Sequence, residues 1–238
     1  MLTCGTTLFR LNNKQRQKHK IMKTKTTFLG FLLIALFIVS CDNNAIDANG
    51  AIVNEEREIN GYNSISLSVP ANVYITEGPG ESFRIKTHEN LLSFIDTDVT
   101  GTTLRISTNH NLRNVKTLDV YVSALDYEKL SITGAGAIRV ENCLDVDELE
   151  LEITGAGLIE VCGSAEILRT KITGAGKIQA YDLQTMNTNV TVSGSGEVQT
   201  RVSESLNVHI SGTGVVRYIG SPEITSNISG AGVVRRAN

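Results

Sequence analysis

The 238-residue sequence has no tryptophan, 5% aromatic residues and only three prolines. Without large rings, a core has to be threaded from many small aliphatic side chains. Apolar residues at helical spacing are nearly missing beyond the N-terminus, which excludes a helical bundle. The apolar run at residues 28–39, FLGFLLIALFIV, is 12 residues long. That falls short of the roughly 20 residues that a membrane-spanning helix needs. Histidine is equally sparse: His19, His88, His110 and His209 lie far apart. No Cys/His metal spacing and no Ser-His-Asp pattern emerges, so no cofactor, metal site or catalytic residue is assigned.

Basic residues are scarce where they would matter. Residues 1–40 hold seven lysines and arginines and no acids, which leaves fifteen of the total 22 for the remainder, against all 25 acids. The remainder therefore carries a net charge of −10. A nucleic-acid partner needs a basic stripe, and none exists.

Glycine, by contrast, is abundant and ordered. ITGAG occurs at 132–136, 153–157 and 172–176, followed by VSGSG at 192–196, ISGTG at 210–214 and ISGAG at 228–232. The glycine pairs are Gly134/Gly136, Gly155/Gly157, Gly174/Gly176, Gly194/Gly196, Gly212/Gly214 and Gly230/Gly232, with first glycines spaced 21, 19, 20, 18 and 18 apart. A period near twenty predicts a solenoid, with regular repeats over 130–238. Ile132, Ile153, Ile172, Val192, Ile210 and Ile228 form one inward column, and Ile138, Ile159, Ile178, Val198, Val216 and Val234 another. Arg139, Glu160, Gln179, Gln199, Arg217 and Arg235 then fall on an outward column.

One such turn buries about four aliphatic side chains, each worth roughly 1.5–3 kcal/mol. Ordering its backbone costs about 1–2 kcal/mol per residue, so a single turn cannot fold and stability belongs to the stack. Each Gly-x-Gly is predicted to be a structural corner, where glycine tolerates positive φ and successive corners stack without Cβ collisions. No corner continues to a third glycine or to Gly-Lys-Ser/Thr, which excludes a nucleotide loop. Upstream, strands are predicted near 65–67, 73–76, 83–87, 95–99, 103–107 and 118–122.

The segment around 28–39 has the three-part layout of a secretory signal, with Lys23 and Lys25 before it and Ser40 after it. The ending Ile38-Val39-Ser40-Cys41 resembles the lipobox of bacterial lipoproteins. That resemblance implies a diacylglyceryl group on Cys41, cleavage just before it, and attachment to the outer membrane on its periplasmic or exposed side. Residues 1–21 read as a stretch upstream of a true start at Met22 rather than Met1, residues 22–40 as the signal, and 41–55 as a polar tether. Cys143 and Cys162 remain for a disulfide. They stand nine and seven residues after their repeats' first glycines, an offset that leaves the pairing open.

The strings INGYNSISLSVPANVYITEG, LRIST, and VKTLDVYVSALDYEKLSITGAGAI, with the six corners, resemble the head GIN domain proteins, an adhesin-like family of Bacteroidetes-type lipoproteins. The resemblance covers 56–238 and implies a right-handed β-helix of the pectin-lyase type with no shared catalytic residues. The expectation is an all-β solenoid and a non-enzymatic, lipid-anchored envelope protein serving adhesion or envelope structure. The alternative is a glycan-binding or glycan-processing β-helix. Its tyrosines, Tyr62, Tyr74, Tyr121, Tyr127, Tyr181 and Tyr218, read mostly as strand or core positions with little to offer a sugar. Glu148, Glu150 and Glu152 read as a solvated face paired across strands to Arg169 and Lys171. Expected partners are the membrane, through Cys41, and an unidentified protein or glycan. Val215 and Val233 mark the C-terminal turns as an association surface for a second copy or another envelope protein.

Overall fold

Glycine-cornered repeats laid side by side give an all-β solenoid, seen in a computed structural model that describes residues 44–237. The signal, Met1, Met22 and Cys41 lie outside the described residues. The strands in chain order are β1 Ala45–Asp47, β2 Ile52–Glu56, β3 Ser64–Ser68, β4 Asn72–Glu77, β5 Ser82–His88, then a 3-10 helix Glu89–Phe94, and β6 Asp96–Thr100. They continue with β7 Thr103–Ser107, β8 Asn111–Arg113, β9 Leu118–Ala124, β10 Lys129–Gly134, β11 Ala137–Val140 and β12 Leu144–Gly155. The last are β13 Leu158–Gly174, β14 Lys177–Gly194, β15 Glu197–Gly212, β16 Val215–Gly220, β17 Glu223–Gly230 and β18 Val233–Arg236. All six predicted upstream strands are present. Residues 45–47 and 52–55, read from sequence as part of a tether, lie in strands: β1 pairs with β8, and β2 with β5. Ile52–Glu56 carries no apolar alternation, and its strand is set by antiparallel pairing with β5.

Parallel ladders hold the six corners in register, Gly134 beside Gly155, then Gly174, Gly194, Gly212 and Gly230. Together they bound about five turns. Both inward columns are buried except in the last turn, where Ile228 is 40% exposed. The middle turn buries Ile159, Val161, Ala165, Leu168 and Ile172 together with Thr170, slightly more than the four aliphatics expected.

An additional turn without glycine begins the stack. Leu67 aligns with Ile132 and Asn72 with Ala137, so Ser68-Val69-Pro70-Ala71 occupies the corner. The chain then runs outward, through the antiparallel hairpin β6–β7, and β7 and β9 lie on the far side of β3 and β4. It returns to place β10 and β11 on the near side. At this corner the outermost turn has the connection 108–117 in place of a short Gly-x-Gly, so no stacked corner sits below Val69-Pro70 to demand glycine.

Cys143 and Cys162 are joined by a disulfide. Counted from the following corner, both stand twelve residues before a first glycine, Gly155 and Gly174. The two-residue offset is absorbed in the bend at Glu141-Asn142, and Leu144 pairs with Gly163 directly after the bridge.

Candidate functional site

Corners come first, because their glycines were the strongest sequence signal. The first glycine of each pair has positive φ, +119° at Gly174, a conformation that side chains rarely tolerate. The second glycines, Gly136, Gly157, Gly176, Gly196, Gly214 and Gly232, do not share it, and what requires glycine there is space. Corners do stack on corners, as expected, and the second glycine answers to a further neighbour. A Cβ at a second glycine would lie 2.5–2.7 Å from an inward aliphatic side chain of the preceding turn. Leu67 stands in the way at Gly136, Ile132 at Gly157 and Ile153 at Gly176. Ile172 does so at Gly196, Val192 at Gly214 and Ile210 at Gly232. The inward column therefore reaches under the next corner, and the missing Cβ makes room for it. The middle residue's amide donates to the preceding first glycine's carbonyl, Ala156 to Gly134 and Ala175 to Gly155, both at 2.8 Å. An anion cradle needs free amides, and these are spent on holding turns together.

The outward row that follows the corners is more informative. Register places Glu56, Arg84, Tyr121, Tyr74, Arg139, Glu160, Gln179, Gln199, Arg217 and Arg235 in one row across ten strand crossings. At about 4.8 Å per strand the row spans roughly 43 Å. Sequence alone finds only the last six members. Their polar groups meet: Arg139 Nε contacts Glu160 at 2.6 Å, Gln199 donates to Glu197 at 2.7 Å, and Arg217 pairs with Glu197. Burial pushes the Glu197 carboxyl up, but the hydrogen bonds from Gln199 and Arg217 and the charge of Lys177 outweigh it and hold it below the usual range.

Tyr74 and Tyr121 correct the reading of the tyrosines. Both face outward and stack on one another, with ring centroids 5.1 Å apart, and the Arg84 guanidinium sits 4.4 Å over Tyr121. Burial, then the neighbouring Asp119, holds the Tyr74 phenol above its ordinary value. Tyr62 and Tyr127 are core residues, as expected. The missed signal was the pair of matching tetrads Asn72-Val73-Tyr74-Ile75 and Asp119-Val120-Tyr121-Val122, which the fold lays side by side.

This end of the row forms one wall of an open groove of about 880 Å³. Glu56, Glu58, Glu81, Glu141, Asn60, Ser82, Thr76 and the Tyr-Tyr-Arg stack line it. Glu81 is committed to structure, accepting from the amides of Gly61 at 2.9 Å and Tyr62 at 3.3 Å. Arg84 lines the groove with its guanidinium over Tyr121, and no hydrogen bond or ion pair holds it among the described residues. Volume, planar rings and mixed donors and acceptors suit a polar ligand.

The remaining expected residues are placed as follows. Glu148 pairs with Arg169, and Glu152 lies between Lys171 at 2.7 Å and Lys129 at 3.0 Å, on the strand segments that precede the corners. Hydrogen bonds from Lys171 and then Lys129 hold the Glu152 carboxyl below its ordinary range. Val215 is half-buried and Val233 is 44% exposed, paired across β16 and β18 in the row next to Glu197. Among the described residues no group of three or more His, Cys, Asp or Glu side chains is placed to hold a metal ion. No helix among them is long and apolar enough to cross a membrane.

Several solved structures share this architecture. A putative adhesin from Bacteroides fragilis superposes with a TM-score of 0.68 at 22% identity, covering 81% of this chain and 100% of its own. A putative lipid binding protein from Parabacteroides distasonis gives 0.55 at 22%, with 82% and 100% covered. A putative adhesin from Parabacteroides merdae gives 0.52 at 19%, also with 82% and 100% covered. At these identities the likeness establishes the fold. No curated protein matches the chain. The family described as "putative auto-transporter adhesin, head GIN domain" matches residues 61–222, about two thirds of the sequence, and the chain belongs to that family.

Proposed function

We propose that this protein is a non-enzymatic, lipid-anchored adhesin of the cell envelope, whose contact surface is the outward row that runs from Glu56 to Arg235. The observation that carries the reading is the unbroken row from Glu56 to Arg235, a regular surface some tens of ångströms long. Family membership supports an adhesin-like envelope role. Anchoring rests on Cys41 and its lipobox-like approach, and β1 starts at Ala45. Two or more acyl chains hold a protein at a membrane, whereas one is marginal. Domain limits follow the same reading, with 1–40 removed and the solenoid forming the mature body.

A second reading, glycan binding, is favoured by the Tyr74–Tyr121–Arg84 stack and the hydrogen-bonding groups around it. Three measurements separate these claims. Metabolic palmitate labelling should vanish in Cys41→Ser, and persistent labelling removes the anchor. Protease shaving of intact cells reports surface display. Binding to a panel of envelope glycans should fall at least tenfold in Tyr74→Ala/Tyr121→Ala while the fold is kept. Unchanged binding to cells and glycans in that variant moves the contact surface elsewhere.

A further inference from the structure

The two ends of the solenoid are built differently. At one end the outermost parallel strands β7 and β9 are covered by antiparallel β6 and β5, with β2 beyond β5. The covering edges carry Asp96 and Asp98, and Glu55 and Glu56, charges that discourage further pairing. At the other end no described residue covers β17. Its eight residues, Glu-Ile-Thr-Ser-Asn-Ile-Ser-Gly, hold one charge at the start, no proline and no lysine, and all are exposed. Ile224 and Ile228 continue the columns of Leu206 and Ile210, yet each is 40% exposed where the two before them are 0%. Among the described residues this end is a section through the core, bounded by a strand edge with no partner.

We propose that a second copy of this chain covers that end, joining through β17 in antiparallel register about Ser226. The segment Ile224-Thr225-Ser226-Asn227-Ile228 has the same polarity pattern read in either direction. An antiparallel pair centred on Ser226 sets Ile224 opposite the partner's Ile228 twice. It sets Thr225 opposite the partner's Asn227, and Ser226 opposite itself. Inward residues meet inward residues, no like charges oppose, and the aliphatic pairs complete the exposed core. A two-fold interface needs such a self-complementary patch. The capped opposite end cannot accept β17, so the assembly closes at two chains and does not grow into a fibre. This contact is separate from the adhesive face proposed above.

The experiment uses single cysteines in the full chain expressed in cells. Across a two-fold at Ser226 the two Cα atoms lie about 4.5–5.5 Å apart, within disulfide reach. Ser226→Cys should therefore give a covalent dimer under mild oxidation. Glu223→Cys, equally exposed but about 20 Å from its copy, should not. The wild-type protein extracted in detergent should sediment at two-chain mass, and Ile228→Lys at one-chain mass with unchanged far-UV circular dichroism. Equal cross-linking of both cysteines, capture of a different polypeptide by Ser226→Cys, or wild-type sedimentation at one-chain mass would each overturn the proposal.

Discussion

Single residues at the corners separate two costs that glycine avoids. Gly134 has φ +109° with nothing within 4 Å of an added Cβ, whereas at Gly174 that Cβ would stand 2.5 Å from Gly155 O. Alanine at Gly134 meets backbone strain alone, about 1–3 kcal/mol. Alanine at Gly174 meets the same strain and must also push a neighbouring turn away. Thermal melts should show Gly174→Ala falling at least twice as far as Gly134→Ala, and equal shifts would disprove the stacked-corner account. The buried hydroxyls offer the opposite sign. Thr170 Oγ1 and Thr200 Oγ1 are buried with no hydrogen-bond partner. Valine keeps the shape and removes an unsatisfied group worth about 1–3 kcal/mol, so Thr170→Val should raise Tm by a few degrees.

At the scale of elements, each turn is held by its neighbours, and two fastenings between turns are testable. The Cys143–Cys162 bridge closes a 19-residue separation between consecutive turns. A loop of that size contributes about 3 kcal/mol by restricting the unfolded chain. Cys143→Ser/Cys162→Ser should therefore lower Tm, and reducing agent should bring the wild type to the same value. Glu152 is the second fastening. Its pKa is depressed in the folded state, so its stabilisation is complete above the unfolded value of about 4.3 and is lost as pH falls through the folded pKa. Glu152→Gln should melt slightly below wild type at neutral pH, with the gap closing in acid. The gap stays small because Lys171 is more than half exposed.

The whole molecule depends on its capped end, where the turn laid down first ends up inside and the turn laid down second ends up outside. Two tyrosines pin that arrangement. Tyr62 donates to Ser123 O at 2.8 Å, and Tyr127 to Thr76 O at 3.3 Å. Burial, then the charge of Glu81, pushes the Tyr62 phenol up to about 12, and burial raises Tyr127 further. Both pKa values are raised on folding, so their contribution is intact below about 10 and is lost as pH climbs through the folded values. Stability should fall steeply in that alkaline window, and Tyr62→Phe should flatten the fall while costing about 1 kcal/mol at neutral pH. An unchanged alkaline limb in Tyr62→Phe would assign the loss to other groups.

The sequence by itself determined the repeating half of this protein. Short-range chemistry is enough there: alternation fixes which face is buried, and the Gly-x-Gly spacing fixes where the chain turns. The charge pairs of Glu148 with Arg169 and Glu152 with Lys171 followed from the same period. Tertiary structure decided what periodicity cannot carry. The second glycine of each corner, as at Gly157, answers to an isoleucine of the turn before it, a contact that no spacing within one repeat reveals. The turn at Ser68–Ala71 has no glycine because no short corner lies beneath it, and the order of the first turns reverses across 64–124 because antiparallel strands intervene. The disulfide depended on counting from the following corner rather than the preceding one. Tyr74 and Tyr121 stand 47 residues apart in the chain and touch only because β4 lies beside β9. Local pattern sets each strand's faces; which strands become neighbours is settled when the long connections close, and the candidate site is made at such a junction.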